Sequence, residues 1–236
     1  MKRILPFVLI AIVLGAGLLT VRYLQRASSE SPSRILPAAP LSPSTSSLSP
    51  DGASQKEPGA TPPHSHGNPN APVTLEEFGD FQCPPCGMLH PILKDMEAQF
   101  GPANVRVIFR EFPLVPAHAH ALAAARSAEA AALQGKFWEM HDMIYEHQKD
   151  WHEVFDVRPI FEGYAKQIGL DVEQFRRDIT SEVVDRRIFL DGKRAHALGV
   201  TGTPTVFING REIPFESLAA DKLKVIINNE LAAQSK

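Results

Sequence analysis

The stretch Phe81-Gln82-Cys83-Pro84-Pro85-Cys86 contains both cysteines of the 236-residue chain, and it governs how the rest of the sequence is interpreted. Only two residues separate the cysteines, so a disulfide between them closes too short a loop to constrain the unfolded chain much. A pair with this spacing is better suited to being formed and reduced repeatedly than to holding a fold together. The stretch therefore predicts a redox-active site.

The elements that flank the pair assign a role to each sulfur. Residues 73–78 have strand character, and a helix follows the cysteines until Gly101-Pro102 stops it. Cys83 is then expected at the helix N-cap with Pro84 in the first helical position, where the helix dipole favours a thiolate. This predicts Cys83 as the nucleophile. Cys86, one turn later, is expected to resolve mixed disulfides that form on Cys83.

The rest of the chain predicts an α/β fold with helices in its middle. A second strand begins at Val105, and Ala-rich amphipathic runs between about residues 117 and 198 predict four or five helices. Residues 205–208 and 211–213 form a hairpin around Asn209-Gly210, a strong type I′ turn signal. A closing amphipathic helix follows. The order is β-α-β, a helical insertion, then β-β-α.

At these residues the chain resembles the DsbA-like branch of the thioredoxin superfamily, the bacterial extracytoplasmic thiol–disulfide oxidoreductases. The resemblance spans about residues 67–231. It is carried by the segment Gly67-Asn68-Pro69-Asn70-Ala71-Pro72-Val73-Thr74, by the cysteine stretch, and by Gly199-Val200-Thr201-Gly202-Thr203-Pro204-Thr205-Val206-Phe207-Ile208-Asn209-Gly210. It implies a thioredoxin fold interrupted by the helical subdomain that is characteristic of this branch.

The resemblance also implies roles for three further residues. The proline at the position of Pro204 is cis in the family and faces the cysteines, so that the backbone of Thr203 pairs with an extended client peptide. Glu77 matches a buried acid that helps to move the proton of the second cysteine; the alternative is an ordinary strand glutamate, with Glu76 beside it pointing outward. Pro85 departs from the well-known oxidases, which carry histidine there. It lacks an N–H that could stabilise the Cys83 thiolate, which leaves the direction of electron flow open.

The N-terminus has the features of a membrane segment. Lys2-Arg3 precedes an uncharged stretch over residues 4–21, long enough as a helix to approach the roughly 30 Å of a bilayer's hydrocarbon core. Arg22 follows at the place where a cleavable signal would carry its cleavage site. We therefore expect residues 1–26 to be an uncleaved transmembrane anchor. The alternative is cleavage near Ala27-Ser28-Ser29, which would leave a soluble periplasmic protein.

A Ser- and Pro-rich segment connects this anchor to the folded body. Residues 27–66 contain no aromatic residue and show no helical or strand periodicity, which predicts a disordered linker. His64 and His66 close it and receive no role. The DsbA-like domain is then expected over residues 67–236, with the helical insertion at about 117–198.

Composition and motifs limit the partners. A net charge of -3 and a sequence pI near 6.3 give no general attraction to nucleic acid. No haem, nucleotide or metal motif is present, so we assign no cofactor and no metal ligand. The alternative that the two thiols bind or deliver a metal is disfavoured, because zinc needs two more ligands and His90 would have to leave its helix face to join both sulfurs.

The sequence therefore predicts a protein thiol–disulfide oxidoreductase in a bacterial cell membrane, with its catalytic domain facing the periplasm. It exchanges the Cys83–Cys86 disulfide with cysteine-containing client proteins, and a membrane redox partner resets the dithiol. The preferred direction is disulfide donation. The alternative within the same fold is a disulfide reductase or isomerase.

Overall fold

A computed structural model of the chain describes residues 57–234, which form five strands and eight α-helices in the order expected for a thioredoxin-like fold with a helical insertion. The strands are β1 (His64–His66), β2 (Val73–Gly79), β3 (Val105–Glu111), β4 (Thr205–Ile208) and β5 (Arg211–Ile213). The helices are α1 (Pro84–Phe100), α2 (Ala121–Ala132), α3 (Phe137–Glu146), α4 (Gln148–Trp151), α5 (Arg158–Gln167), α6 (Val172–Asp178), α7 (Glu182–Ala197) and α8 (Ala220–Gln234).

The strands form one sheet in the order β1-β3-β2-β4-β5. β2 and β3 are parallel and are joined by α1, whereas the other neighbouring pairs are antiparallel. The β4–β5 hairpin turns at Asn209 and Gly210, whose φ angles of 48° and 79° are both positive, as a type I′ turn requires. The predicted β-α-β, helical insertion and β-β-α arrangement is confirmed.

Alternate side chains of β2 face opposite sides of the sheet, and this places the site. Leu75 packs with Leu89 of α1 and Leu223 of α8, so the odd-numbered residues of β2 face α1. Phe78 packs with Ala195 of α7 on the other side. Glu77 therefore projects towards the helix that carries the cysteines.

Helices α2 to α7 form the insertion, which the sequence placed at about residues 117–198. Its core extends into the thioredoxin part of the molecule, because Phe81, Phe109 and both cysteines belong to the same buried cluster as Met140 and Trp151. The redox pair thus lies where the insertion packs against the sheet and α1.

The folded domain begins earlier than the sequence predicted. The linker was expected to end at His66, yet β1 pairs antiparallel with β3, with His64 opposite Phe109. The His64 ring stacks on Phe137, with 3.5 Å between the ring centroids. Its Nε2 atom forms a hydrogen bond with Oε1 of the buried Glu129 at 3.0 Å. Because these contacts bury polar and aromatic surface of the domain, residues 57–66 belong to it, and the predicted boundary at Gly67 is wrong.

The predicted anchor over residues 1–26 and most of the predicted linker lie outside the described residues. Within residues 57–234, no helix combines the length and the apolar character that crossing a membrane requires.

Candidate active site

Cys83 begins α1 as its N-cap, as the sequence predicted. Its backbone is extended, with φ -71° and ψ 118°, and the first helical turn contains the adjacent prolines. The Cys83 N–H donates to the Asp80 carbonyl at 3.0 Å, and the Cys83 carbonyl accepts from Gly87 N–H at 3.2 Å. Both cysteines are free thiols; Cys83 is 4% exposed and Cys86 is fully buried. Cys83 is thus the less enclosed of the two sulfurs, and the one that a client would meet first.

The pKa values of the two thiols are shifted in opposite directions. Hydrogen bonding by the Cys86 side chain outweighs the opposing effect of burial and lowers the pKa of Cys83 from 9.0 to about 6. Burial, reinforced by the hydrogen bond to Cys83 and the charge of Glu77, raises the pKa of Cys86 well above 9.0. At neutral pH the accessible sulfur is a thiolate and the buried one keeps its proton.

Glu77 lies in β2 and is only 3% exposed. Its Oε1 atom has no hydrogen-bond partner among residues 57–234. Burial, and then the negative charge of Cys83, raise the pKa of Glu77 from 4.5 to about 8. A carboxyl group that changes protonation near neutral pH beside two thiols is able to exchange a proton with them.

Glu76 takes the other side of the sheet, but it is buried and does not face solvent. It accepts from Arg110 Nε at 2.7 Å and from Arg194 Nη2 at 2.7 Å. Although burial opposes ionisation, these hydrogen bonds and the two positive charges lower its pKa. The neighbouring glutamates thus have distinct environments: Glu76 is paired with two arginines, whereas Glu77 makes no ion pair with any residue between 57 and 234.

Thr203 and Pro204 lie in the loop before β4, directly beside the redox pair. The Thr203–Pro204 peptide bond is cis, as the family resemblance implied. The Cys83 sulfur lies 3.3 Å from the Thr203 carbonyl oxygen, to which the protonated thiol donates a hydrogen bond. The structure therefore brings together all the predicted site residues: Cys83, Cys86, Glu77, Thr203, Pro204, Pro84 and Pro85.

Two glutamines that the sequence analysis missed hold the cysteine loop to the insertion. Gln148 donates from Nε2 to the carbonyls of Phe81 at 2.7 Å and Cys83 at 2.9 Å. Gln82 donates to the His152 carbonyl at 2.6 Å and accepts from His120 N–H at 2.6 Å. No local pattern marks these residues, because their partners are distant in sequence.

An apolar groove of about 900 Å³ adjoins the first turns of α1. It runs between α1 and the α3–α4 region and is lined by Pro84, Met88, Pro91, Tyr145, Gln148 and His152, among others. Met88 is 65% exposed. Through this groove, solvent reaches the surface of α1, the helix that begins at the cysteines.

Three side chains near the groove could hold a metal ion. His90, His141 and Asp142 each offer one donor atom, and these atoms lie within 4.8 Å of one another. Neither cysteine belongs to this group. The thiols are therefore not among the candidate ligands.

Residues 60–229 match the protein family described as Thioredoxin. BdbD from Bacillus subtilis, in its oxidised crystal structure, has the same fold with a TM-score of 0.62; it is 23% identical, and the match covers 74% of this chain and 98% of that one. A thioredoxin-like oxidoreductase from Silicibacter pomeroyi is 26% identical, with a TM-score of 0.54 and coverage of 70% and 91%.

Curated relatives are more similar in sequence but much longer. A protein of Mycolicibacterium gilvum named Na(+)/H(+) antiporter NhaA 1 is 41% identical over 152 residues, which are 63% of this chain and 23% of that protein. A protein of the same name from Salinispora arenicola is 41% identical over 149 residues, 63% of this chain and 22% of that protein. The chain thus spans less than a quarter of the length of these relatives.

Proposed function

This chain belongs to the thioredoxin family, and we propose that it is a DsbA-like thiol–disulfide oxidoreductase that donates its Cys83–Cys86 disulfide to cysteines of secreted or envelope proteins. The observation that carries the proposal is the opposite acidity of the two sulfurs, with a pKa of about 6 at Cys83 and a strongly raised pKa at Cys86. A stabilised Cys83 thiolate exists only in the reduced protein. It therefore favours reduction of the disulfide, which makes the oxidised protein a better oxidant.

The exchange proceeds in two displacements. A client thiolate attacks the Cys83 sulfur of the disulfide, the bond to Cys86 breaks, and Cys86 leaves as a thiolate that takes up a proton. Glu77, buried and with a pKa of about 8, is the proposed proton donor. A second client thiolate then attacks the client sulfur of the mixed disulfide and expels the Cys83 thiolate. The client gains a disulfide, and the Cys83–Cys86 pair is reduced to a dithiol by the two electrons that the client loses.

Client positioning is assigned to the backbone of Thr203. It lies in the loop just before β4, and its carbonyl oxygen is 3.3 Å from the Cys83 sulfur. An extended peptide that pairs with this backbone would present its cysteine to the reactive sulfur. Pro204, buried behind it, holds the loop in place.

We also propose that residues 1–26 anchor the protein in a bacterial cell membrane with the catalytic domain on the periplasmic side. The support is the uncharged stretch between basic residues and the need of a disulfide donor for an oxidising compartment. A membrane redox partner would then re-oxidise the dithiol. The alternative of a soluble periplasmic protein follows if cleavage occurs after the apolar stretch.

One feature favours the reverse direction. Pro85 occupies the first turn of α1 without an N–H, so it removes a donor that would stabilise the Cys83 thiolate. A weaker oxidant that a membrane electron carrier keeps reduced would act as a reductase or isomerase.

Two measurements separate the directions. Equilibration with glutathione gives the reduction potential, which we expect above about -200 mV for a disulfide donor and near -270 mV for a reductase. Alkylation trapping in intact cells gives the redox state of Cys83 and Cys86, expected to be mostly oxidised. A potential near the lower value together with a reduced pair in cells would establish the reductase instead.

A further inference from the structure

His90, His141 and Asp142 meet where α1 packs against α3. The Asp142 Oδ1 atom lies 3.1 Å from His141 Nδ1 and 3.7 Å from His90 Nε2. Ligand atoms bound at 2.0–2.1 Å around a tetrahedral metal ion are about 3.3 Å apart. These two spacings bracket that value, and all three donor atoms lie within 4.8 Å of one another, so the side chains are placed to share one ion.

The His90 imidazole has unused hydrogen-bonding capacity. Its Nε2 atom, which lies 3.7 Å from Asp142 Oδ1, is buried and makes no hydrogen bond to any of residues 57–234. Buried polar atoms in proteins nearly always have a partner, so this nitrogen points to an occupant of the adjacent space. A cavity of about 50 Å³ is present there, lined by both histidines, Asp142 and Glu77. It is large enough for one ion with a water molecule.

We propose that His90, His141 and Asp142 form a binding site for one divalent transition-metal ion of the Zn²⁺ type. Two imidazoles and one carboxylate are a donor set that Zn²⁺ and its neighbours Co²⁺, Ni²⁺ and Cu²⁺ accept. Three protein ligands leave a coordination position for water. An ion can enter from the solvent side, because Asp142 is partly exposed and the 900 Å³ groove reaches His90.

The site does not depend on the redox function, although the two are neighbours. Glu77 lines the same cavity as the proposed ligands. A bound cation would favour the Glu77 carboxylate by its charge. Metal occupancy would therefore alter the proton donor of the thiol chemistry without touching either sulfur.

Lys94 provides an internal competitor that makes the proposal testable. Its Nζ donates to Asp142 Oδ2 at 2.7 Å and to Glu146 Oε1 at 3.1 Å, and its side chain is about half exposed at 46%. Because the Lys94 ammonium group is bound to the carboxylate that a metal ion would have to bind, it opposes metal binding. Because Lys94 is not part of the buried core, its replacement by glutamine should tighten metal binding by about tenfold without unfolding the protein.

The experiment measures Zn²⁺ affinity by calorimetry, and Co²⁺ coordination by visible absorbance, on the full chain carrying Cys83→Ser and Cys86→Ser. These two substitutions remove the thiols as ligands. We expect one ion per chain, at least tenfold weaker binding in His90→Gln and in Asp142→Asn, and tighter binding in Lys94→Gln. His147→Gln, which changes an exposed histidine at the end of α3, is the matched control and should bind like the parent.

The proposal is overturned if the parent binds no stoichiometric ion. It is equally overturned if His90→Gln and Asp142→Asn bind as the parent does, or if Lys94→Gln fails to tighten binding. The Lys94 result does not require a substitution in the core, so it remains decisive even if a histidine variant loses stability.

Discussion

The Cys83 thiol lies 3.3 Å from the Thr203 carbonyl oxygen, so the attacking sulfur and the backbone proposed to bind client peptides share one contact. The sulfur belongs to α1 and the carbonyl to the loop before β4, two elements that are distant in the chain. Their meeting places the chemistry at the end of the sheet where β2 and β4 are neighbours. A client held at Thr203 therefore has its cysteine within reach of Cys83.

Cys86 is expected to act in two separable ways, as resolving thiol and as hydrogen-bond donor. Cys83→Ser should abolish exchange. Cys86→Ala and Cys86→Ser have no disulfide to donate, but in the reverse reaction their Cys83 thiolate should attack client disulfides and accumulate mixed disulfides, because no Cys86 thiol releases the client. Since the Cys86 side chain is the largest influence that lowers the Cys83 pKa, alanine should raise that pKa above 6 and serine should largely preserve it. Thiolate absorbance and gel analysis of trapped clients measure both effects. Normal turnover of Cys86→Ala would refute the resolving role.

Glu77 should make the reduced protein less stable as pH rises. The folded protein holds the Glu77 proton up to about pH 8, while the unfolded chain releases it near 4.5, so the free energy of unfolding falls across this window. Glu77→Gln should match wild type at pH 4 and exceed it at pH 8 by a few kcal/mol, at most about 5. Urea denaturation at both pH values measures the difference.

Glu76→Gln is the control for that prediction, and it should have the opposite sign. Glu76 is ion-paired with Arg110 and Arg194 and has a lowered pKa, so its charge stabilises the fold above pH 4.5. Removal of the charge should destabilise the protein by about 3 kcal/mol or more at neutral pH, because the buried guanidinium of Arg110 and the partly buried one of Arg194 each lose a partner. Equal effects of the two substitutions would contradict the assigned environments.

Pro85 should limit the oxidising power of the disulfide. The Cys86 backbone N–H helps to lower the Cys83 pKa, which indicates that donors in this turn act on the sulfur. Pro85→Ala restores one N–H, and Pro85→His adds a ring that can carry positive charge. We expect the Cys83 pKa to fall in the order wild type, alanine, histidine, and the potential to rise by about 30 mV for each pKa unit.

Thiolate absorbance titration and glutathione equilibration of the three proteins test this order. An unchanged or raised Cys83 pKa in Pro85→His would show that the residues between the cysteines do not set the redox potential here.

Residues 57–66 should be required for a stable domain. Arg110 is buried and donates to the carbonyls of Ala60 at 2.9 Å and Pro58 at 3.1 Å, and β1 covers one edge of β3. A chain that starts at Gly67 should lose about 3 kcal/mol or more relative to one that starts at Glu57. Thermal and urea unfolding of the two truncated proteins measure the loss. Equal stability would restore the later boundary.

Local patterns accounted for most of the fold. The bounds of β4 and β5 and the turn at Asn209 were predictable because alternation and turn chemistry operate over a few residues. The strand at His64–His66 was not, since three residues carry no periodicity and the segment before them is rich in Ser and Pro. This strand forms because of tertiary contacts, namely its pairing with β3 and the hydrogen bond between His64 and Glu129.

The same limit applies to the site. Cys83, Cys86 and the N-cap geometry follow from one short stretch, but the burial of Glu77 depends on which side of β2 faces α1. The meeting of His90 with His141 arises only from the packing of α1 on the insertion. The positions of His90 and His141 in the sequence do not predict that contact.

The most direct test of the account is the pH dependence of cysteine alkylation in the reduced protein. Reaction with iodoacetamide under pseudo-first-order conditions, followed by peptide mass mapping, assigns the rate to each sulfur. We predict that Cys83 alone reacts, with a midpoint near pH 6, and that Cys86 stays unmodified until well above pH 9. Equal alkylation of both cysteines, or a Cys83 midpoint near 9, would contradict the assignment of Cys83 as the attacking thiolate.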